Sequence, residues 1–362
     1  MIRRQPARAR RLARRAWLHL PPTLLCLAML TVALLAPPAL AQTNIGRGTE
    51  QVDFTEITPQ ARQAIDRGLE TLASLQADDG SYGADRYGKH VGVTAIAALA
   101  FMADGNLPGR GRYGPHVQRA LDFVLRHASE SGLIAADTSH GPMYGHGYAT
   151  LMLGEIYGMT GEPRVREALL KAVRLIVDTQ NHEGGWRYHP RPFDADISVT
   201  ITQVMALRSA RNAGLSVPKQ TIDRAITYVR QCQSPTDGGF RYMLSSNGSA
   251  YPRSAAGVAS LQYAGIYEDD AVTDGLAYLG RASQGIVAAG SHYYYGHYYA
   301  AQAMFLAGGD HWAGWFPRHR DEIIARQQTD GSWTSSNGNA YATGMALLIL
   351  QIPNRLLPIY QR

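Results

Sequence analysis

Helical patterns of two kinds alternate along the chain from about residue 57 onward. In the first kind, apolar residues recur every three or four positions and charged residues occupy another face, as around Ala61, Ile65, Leu69 and Leu72. This pattern predicts a helix with one packed face and one solvent-exposed face. The second kind, represented by 91–101, is apolar on all sides but too short to cross a membrane. It predicts a helix that is buried on both sides.

A half-exposed helix is followed by a buried helix six times. The half-exposed helices are marked by apolar positions within 61–72, 117–124, 165–176, 222–229, 272–279 and 323–324. The buried helices are marked by 91–101, 148–153, 199–207, 255–261, 298–305 and 342–350. Alternation with the two-residue period of a strand is absent over any useful length, so the pattern predicts an all-α protein.

A turn signature supports an internal repeat. The pattern Gln-x-x-x-Gly-x-aromatic begins at Gln76, Gln180 and Gln327, and a looser copy begins at Gln233. The separations between these glutamines are multiples of about 50 residues, which is the length of one helical hairpin with its loops. Six such units fill the chain after residue 57.

The last buried helix indicates that the repeats close on themselves. An open array of repeats needs a polar face on its end units. The segment 346–350 is as apolar as the buried helices in the middle of the chain. We therefore predict a single closed α/α toroid of about six helical hairpins spanning 57–362.

The first 41 residues have the composition of a targeting segment. Seven arginines and no acidic residue precede an apolar run over 23–36, and Ala39-Leu40-Ala41 supplies a small–x–small cleavage signal. We therefore predict a signal peptide at 1–41, a loose lead-in at 42–56 and a secreted or periplasmic location. Arg14-Arg15 resembles a twin-arginine export signal, and an ordinary basic segment is the alternative. Retention of the segment as a membrane anchor is the alternative to its cleavage.

Removal of this leader changes the charge and the cysteine count. Seven positive charges lie in the leader and the whole chain carries +6, so the remainder carries −1. No nucleic-acid footprint and no stable membrane span are expected for such a chain. Cys26 leaves with the leader, and Cys232 alone forms neither a disulfide nor a cysteine-based zinc site. We expect no cofactor and no metal.

One repeat carries a pair of aspartates. Asp194 and Asp196 lie between the Gly-Gly-Trp turn at 184–186 and a helix that is predicted to start near Ile197. Two carboxylates this close at a cavity mouth resist ionising together, which would keep a proton available for donation. Aspartate is also a favoured N-cap residue, so simple capping of the helix is the alternative.

Aligning the repeats brings further polar residues to the mouth of the ring, where the buried helices begin. The candidate ligand-binding residues are Tyr144, His146, Arg253, Tyr295, His297 and Tyr298, with His90, Asn339 and Tyr341 at equivalent positions. A cluster of acids, bases and phenols at a cavity mouth is the default position of a ligand site.

Two of these positions belong to a duplicated motif. The sequence Tyr-Gly-His-x-Tyr-Ala occurs at 144–149 and 295–300, three repeats apart, so the two copies face each other across a six-fold ring. This arrangement suits two walls that grip one ligand and argues against a metal shared by His146 and His297. The alternative is that each histidine locks its helix to a loop.

The repeats resemble those of a known superfamily. The Gln-x-x-x-Gly-x-Trp turn followed by a small-residue helix resembles the repeats of terpenoid cyclases over about 57–350. The six hairpins resemble the α/α toroid of those cyclases, of protein prenyltransferase β subunits and of some secreted polysaccharide lyases.

The aspartate pair carries a narrower resemblance. Asp194-Ala195-Asp196-Ile197-Ser198 is similar to the Asp-x-Asp-Asp-Thr region of squalene–hopene-type cyclases, whose middle aspartate protonates an alkene. The resemblance implies that Asp196 is the acid and Asp194 its hydrogen-bonding neighbour. Ile197 and Ser198 stand where that family has its third aspartate and its threonine.

Three functions follow as hypotheses, and catalysis itself is left open. The first is an exported cyclase-like protein that binds an isoprenoid or similar lipid. The second is a secreted carbohydrate-active protein of polysaccharide-lyase type, in which a tyrosine or histidine acts as base and Arg253 neutralises a uronate. The third is a non-catalytic binding or scaffold protein. An apolar lumen with one acidic end favours the first, and a polar open groove with Arg253 exposed favours the second.

Overall fold

The computed structural model describes residues 56–84, 88–136, 140–284 and 292–361. These residues belong to one compact unit, Val52–Arg362. The predicted signal peptide and all of the lead-in before residue 56 lie outside the described residues.

The described residues form two concentric sets of α-helices. The outer helices are α1 (Pro59–Ser74), α3 (Gly114–Arg126), α5 (Pro163–Asp178), α7 (Lys219–Gln231), α9 (Asp270–Ser283) and α11 (Gly309–Ala325). The inner helices are α2 (Val91–Met102), α4 (Met143–Thr160), α6 (Ile197–Asn212), α8 (Tyr251–Tyr263), α10 (Tyr293–Ala307) and α12 (Asn339–Leu350). Two short antiparallel strands, β1 (Gly83–Ala84) and β2 (Gly88–Lys89), form a hairpin between α1 and α2.

The inner helices form a closed ring. Each inner helix packs against the next, and α12 returns to pack against α2. The outer helices lie against this ring and expose their polar faces. The closed all-α toroid of six hairpins predicted from the sequence is therefore confirmed.

The turn glutamines show how neighbouring repeats are joined. The Gln180 side-chain amide donates to the carbonyl of Gly184 in its own turn at 2.8 Å and to Thr221 on α7 at 2.9 Å. The Gln327 amide donates in the same way to Gly331 at 3.0 Å and to Ala64 on α1 at 2.8 Å. Because Ala64 lies in the first repeat, this last bond also closes the ring.

Helix α11 begins well before the position that the aliphatic pattern indicates. The sequence pattern marks this helix only at 323–324, but Trp312 and Trp315 already lie within it, and Pro317 lies in its interior. The packed face is built from aromatic side chains, including His319, before Ile323 is reached. Aliphatic residues at helical spacing therefore mark only the end of α11 and give no sign of its first half.

The end of the chain covers one side of the ring. Two short 3₁₀ turns, Ile352–Asn354 and Pro358–Tyr360, pack against the inner helices, with Ile359 and Tyr360 buried. The backbone N–H of Ile359 donates to the Glu155 carboxyl at 3.0 Å. The lumen thus opens toward the N-terminal ends of the inner helices. Within the described residues, no helix combines the length and hydrophobicity that a membrane crossing requires.

Glu155 makes the stability of this closure depend on pH. Burial raises the pKa of its carboxyl from 4.5 to about 7. The folded protein therefore keeps a proton that the unfolded chain releases at lower pH, and stability falls as pH rises from about 4.5 to 7. In Glu155→Gln, the amide oxygen can accept from Ile359 and the amide nitrogen can donate to Ser209.

We expect Glu155→Gln to gain about 2 kcal/mol in free energy of unfolding relative to the wild type between pH 5 and pH 8. Urea denaturation at both pH values measures this difference. Glu268→Gln is the control, because it removes a carboxylate at an exposed position. A pH-independent effect of Glu155→Gln would contradict the assignment.

Candidate functional site

Two adjoining cavities lie at the open mouth of the ring. The first has a volume of about 280 Å³ and is lined by His90, Gly92, Val93, Ile96, His140, Gly141, Tyr144, Tyr148, Tyr188, His292, Tyr295, Asn337 and Tyr341. The second has a volume of about 330 Å³ and is lined by Tyr144, Tyr188, Ser198, Tyr242, Ala250, Pro252, Arg253, His292 and Tyr295. Four residues line both: Tyr144, Tyr188, His292 and Tyr295.

A hydrogen bond between two tyrosines crosses the ring below this mouth. The hydroxyls of Tyr148 on α4 and Tyr299 on α10 are 2.8 Å apart. Tyr298 packs against Tyr299 with ring centroids 4.9 Å apart and is buried. Tyr298 therefore belongs to the packed layer around this bridge and is not among the residues that line the two cavities, so its assignment as a ligand-binding residue stays a prediction. Among the described residues, the bonded phenols of Tyr148 and Tyr299 lie across the lumen below the two cavities.

Asp196 is the N-cap of α6. Its Oδ1 accepts the backbone N–H of Val199 at 2.9 Å and the Ser198 hydroxyl at 2.6 Å. The side chain is fully buried, and burial raises the pKa of its carboxyl. Helix α6 starts at Ile197, as predicted, because this cap satisfies a backbone donor of the first turn.

Asp194 does not hydrogen-bond Asp196. Its side chain is half exposed and pairs with the guanidinium of Arg187. The Arg187 Nε lies 3.7 Å from the second oxygen of Asp196. A cation therefore lies between the two acids, which lowers their mutual repulsion, and the expected direct pair is not formed.

Asp196 reaches the cavity wall through Ser198. Ser198 gives its proton to Asp196, so the Tyr144 hydroxyl donates to the Ser198 oxygen. From the opposite wall, the Tyr295 hydroxyl donates to the Ser198 carbonyl at 3.2 Å. Burial raises the pKa of both tyrosines well above the usual value, so both are protonated phenols at neutral pH. The predicted convergence of Tyr144 and Tyr295 across the ring is present.

The two motif histidines face away from the cavities. His146 is fully buried, and its Nδ1 accepts the backbone N–H of Ile134 at 3.2 Å. Burial lowers its pKa to about 4, so the ring is neutral. His297 lies between α10 and α11, where its Nδ1 contacts the Tyr293 carbonyl at 2.9 Å. Neither histidine is among the residues that line the two cavities, and the assignment of either one as a ligand-binding residue stays a prediction.

The repeat explains the position of His146. In four other repeats, a hydroxyl near the start of the inner helix accepts the backbone N–H of the turn aromatic. These hydroxyls belong to Thr94, Thr200, Ser254 and Thr343. His146 replaces the hydroxyl in the second repeat and bonds its helix to the preceding loop. This role is the structural alternative given for the motif histidines in the sequence analysis.

Two tyrosines between helices that bond to each other were not predicted as site residues. Tyr188 and Tyr242 follow Trp186 and Phe240 by two residues in consecutive repeats, and their hydroxyls are 2.5 Å apart. An aromatic residue at the same offset in neighbouring repeats was the available signal. His140 and His292 also line the first cavity. His140 lies three residues before the start of α4 and His292 lies immediately before α10, so neither belongs to a helical pattern.

His90 and Arg253 supply charge-bearing groups to the mouth. His90 caps α2, and its Nδ1 accepts the N–H groups of Gly92 and Val93 at 3.0 and 3.4 Å. The proton of a neutral His90 therefore lies on Nε2. Arg253 is half buried in the second cavity and donates to the Gly248 carbonyl at 3.1 Å. No carboxylate is among the described residues that line either cavity.

Comparison with known proteins shows the fold. No protein-family model matches the chain, and no curated protein sequence matches it. An inactive double Asp-to-Asn variant of an α-1,6-mannanase from Salegentibacter, in complex with α-1,6-mannotriose, is similar with a TM-score of 0.63 and 9% identity over 82% of this chain and 99% of that chain.

Two further solved structures have similar architecture. A cellobiose 2-epimerase from Spirochaeta thermophila gives a TM-score of 0.62 and 11% identity over 83% of this chain and 98% of that chain. A novel α-amylase from Clostridium perfringens gives a TM-score of 0.60 and 9% identity over 80% of this chain and 97% of that chain. These similarities support an α/α toroid, whereas the narrower terpenoid-cyclase resemblance has no counterpart among these three.

Proposed function

We propose that the protein binds a saccharide at the mouth of the toroid. The observation that carries this proposal is the lining of the two cavities, which combines phenols, imidazoles, a serine hydroxyl and one guanidinium. Phenol and imidazole rings can stack on sugar rings, and their polar atoms can bond sugar hydroxyls. Saccharide binding by the mannanase and the sugar chemistry named for the other similar structures agree with this choice.

The same lining speaks against an isoprenoid as the ligand. A long apolar chain needs a deep apolar cavity, but the hydrogen-bonded Tyr148 and Tyr299 obstruct the lumen. Each cavity is close to the lower end of the usual size for ligand pockets, about 300 Å³. One or two sugar rings suit this volume better than a folded polyprenyl chain.

The groups at the mouth favour proton transfer over hydrolysis by two carboxylates. Glycoside hydrolysis usually places a pair of carboxylates on either side of the scissile bond. The lining residues offer histidines as bases and protonated tyrosines as hydrogen-bond donors instead. We therefore favour removal of a proton next to a sugar carbonyl or carboxyl, which begins both epimerisation and β-elimination.

Arg253 indicates which saccharides to test. Its guanidinium can bind a uronate carboxylate in the second cavity, where no acidic residue among the lining residues competes. In β-elimination, a histidine base removes the proton next to that carboxylate, and the electron pair left behind forms a carbon–carbon double bond as the bond to the β-linked oxygen breaks. A protonated tyrosine supplies the proton with which that oxygen leaves as an alcohol. Neutralising the carboxylate lowers the energy of the carbanionic intermediate.

We expect Arg253→Gln to weaken the binding of uronate oligosaccharides by about tenfold or more and to leave neutral oligosaccharides unaffected. Isothermal titration calorimetry with matched uronate and neutral oligomers measures this difference. Arg281→Gln is the control, because Arg281 also donates to one backbone carbonyl but lies on the exposed outer surface. Absence of saccharide binding by the wild-type protein would remove the proposal.

A further inference from the structure

A second cluster of potential ligands lies outside the mouth, between α10 and α11. One nitrogen each from His297 and His319 and one carboxylate oxygen of Glu322 lie within 4.8 Å of one another. His297 comes from α10, whereas His319 and Glu322 are three residues apart on α11. This spacing places the last two on the same face of the helix.

Hydrogen bonding determines which nitrogen of each ring is available. The His297 Nδ1 is 2.9 Å from the Tyr293 carbonyl, and the His319 Nδ1 is 2.7 Å from the Trp315 carbonyl. A carbonyl oxygen can only accept, so both Nδ1 atoms carry protons. In a neutral ring, Nε2 then has a free lone pair. Metal-binding histidines usually have this arrangement, with the second nitrogen donating to a carbonyl or carboxylate.

Both imidazole rings are buried in the packing between the two helices. Each histidine is only 2% exposed. Among the described residues, neither Nε2 has a hydrogen-bond partner. Two acceptor nitrogens on buried rings are thus placed close together without a donor.

Glu322 supplies a negative charge and an entrance. Its Oε1 accepts from the Tyr293 hydroxyl at 3.1 Å and from the Arg326 guanidinium at 2.9 Å. These bonds hold the carboxylate and leave Oε2 available. Its side chain is 33% exposed, which gives an ion access from solvent. Arg326 opposes a cation electrostatically, so the two histidines must provide most of the binding.

We propose that His297, His319 and Glu322 bind a divalent transition-metal ion, with Zn²⁺ as the best match to the donor set. Two imidazoles and one carboxylate are an established set of zinc ligands, and water completes the tetrahedron. Tetrahedral bonds of about 2.0–2.1 Å require donor atoms about 3.4 Å apart. The partly exposed Glu322 side chain can move inward to reach that spacing.

The site would tie an inner helix to an outer helix. Trp315 stacks on His319 with ring centroids 4.0 Å apart, and Tyr293 packs on His297 at the same distance. These contacts orient both imidazoles before an ion binds. The sequence pattern does not predict this site, because it marks the last outer helix only at 323–324, beyond His319, and because the duplicated motif pairs His297 with His146.

The test uses the full chain, stripped with a chelator and titrated with Zn²⁺ against a chromophoric competitor. We expect one zinc per chain by elemental mass spectrometry and a higher thermal unfolding temperature with Zn²⁺. His319→Gln and Glu322→Gln should weaken binding by about 100-fold and about tenfold. His127→Gln is the matched control, because its Nδ1 also contacts the carbonyl four residues earlier, Phe123, at 2.8 Å.

Two outcomes would overturn the proposal. One is a folded wild-type protein that takes up no stoichiometric Zn²⁺, Co²⁺ or Ni²⁺. The other is binding that survives both ligand substitutions or falls equally in His127→Gln. Circular dichroism shows whether each variant is folded. If His319→Gln does not fold, the partly exposed Glu322→Gln decides between a metal site and a stack of aromatic rings.

Discussion

Replacing Gly184 by alanine should lower the free energy of unfolding by about 4 kcal/mol. Gly184 has a φ of +103°, which side-chain-bearing residues rarely adopt. A Cβ built at this position would lie 2.3 Å from the carbonyl oxygen of Arg224 on α7. Backbone atoms of a packed helix cannot move aside cheaply, so the turn or the helix must shift. Urea denaturation of the two proteins measures the loss.

Gly214→Ala separates the effect of the close contact from that of the backbone angle. Gly214 has a φ of +87°, but a Cβ there would meet nothing within 4 Å. We expect a loss of only about 1–2 kcal/mol, which is the cost of the left-handed conformation alone. Equal losses at the two positions would show that the approach of the turn to α7 does not hold the repeats together.

The second large effect is expected at Asp196, where alanine should lower the free energy of unfolding by about 3 kcal/mol. Asp196→Ala removes the N-cap of α6, the acceptor for Ser198 and the buried negative charge beside Arg187. Asp196→Asn keeps an oxygen at the capping position. We expect the asparagine variant to remain within about 1 kcal/mol of the wild type at neutral pH.

The two Asp196 variants also distinguish capping from an acid role. Burial raises the pKa of Asp196 above its ordinary value of 3.8. The wild type should therefore lose stability relative to Asp196→Asn as the pH rises from that ordinary value to the raised pKa. If Asp196 acts only as a cap, Asp196→Asn should retain the proposed saccharide binding and proton-transfer activity. A folded asparagine variant without turnover would show that the Tyr144–Ser198–Asp196 chain supplies or stores a proton.

The repeat could be predicted from the sequence because each turn requires particular residue types at fixed positions. A turn that begins with Gln180 and contains Gly184 and Trp186 needs those residue types for local reasons: a side-chain amide to bridge repeats, a glycine for positive φ, and a buried indole. The Trp186 indole donates to the Ile176 carbonyl at 2.7 Å, and Trp333 bonds Ile323 in the same way. These requirements recur with the repeat and are visible as a motif.

The sequence predicted only part of the site, because a side chain on an inner helix can face the cavity, a neighbouring helix or a loop. Tyr144 and His146 are two positions apart on α4, so their side chains point in different directions. Tyr144 reaches the mouth, whereas His146 faces the preceding loop. The same separation divides Tyr295 from His297 on α10. The duplicated motif indicated two opposing walls, but it did not show which of its residues formed them.

The sequence by itself determined the six hairpins, the closure of the ring and the start of α6 near Ile197. Each depends on helical periodicity or on bonds between residues close in the chain. Only the tertiary structure decided that phenols obstruct the lumen, that Arg187 separates the two aspartates and that His297 meets His319 and Glu322. These arrangements depend on the rotation of packed helices about their axes, which a nearly all-apolar inner helix does not reveal in its sequence pattern.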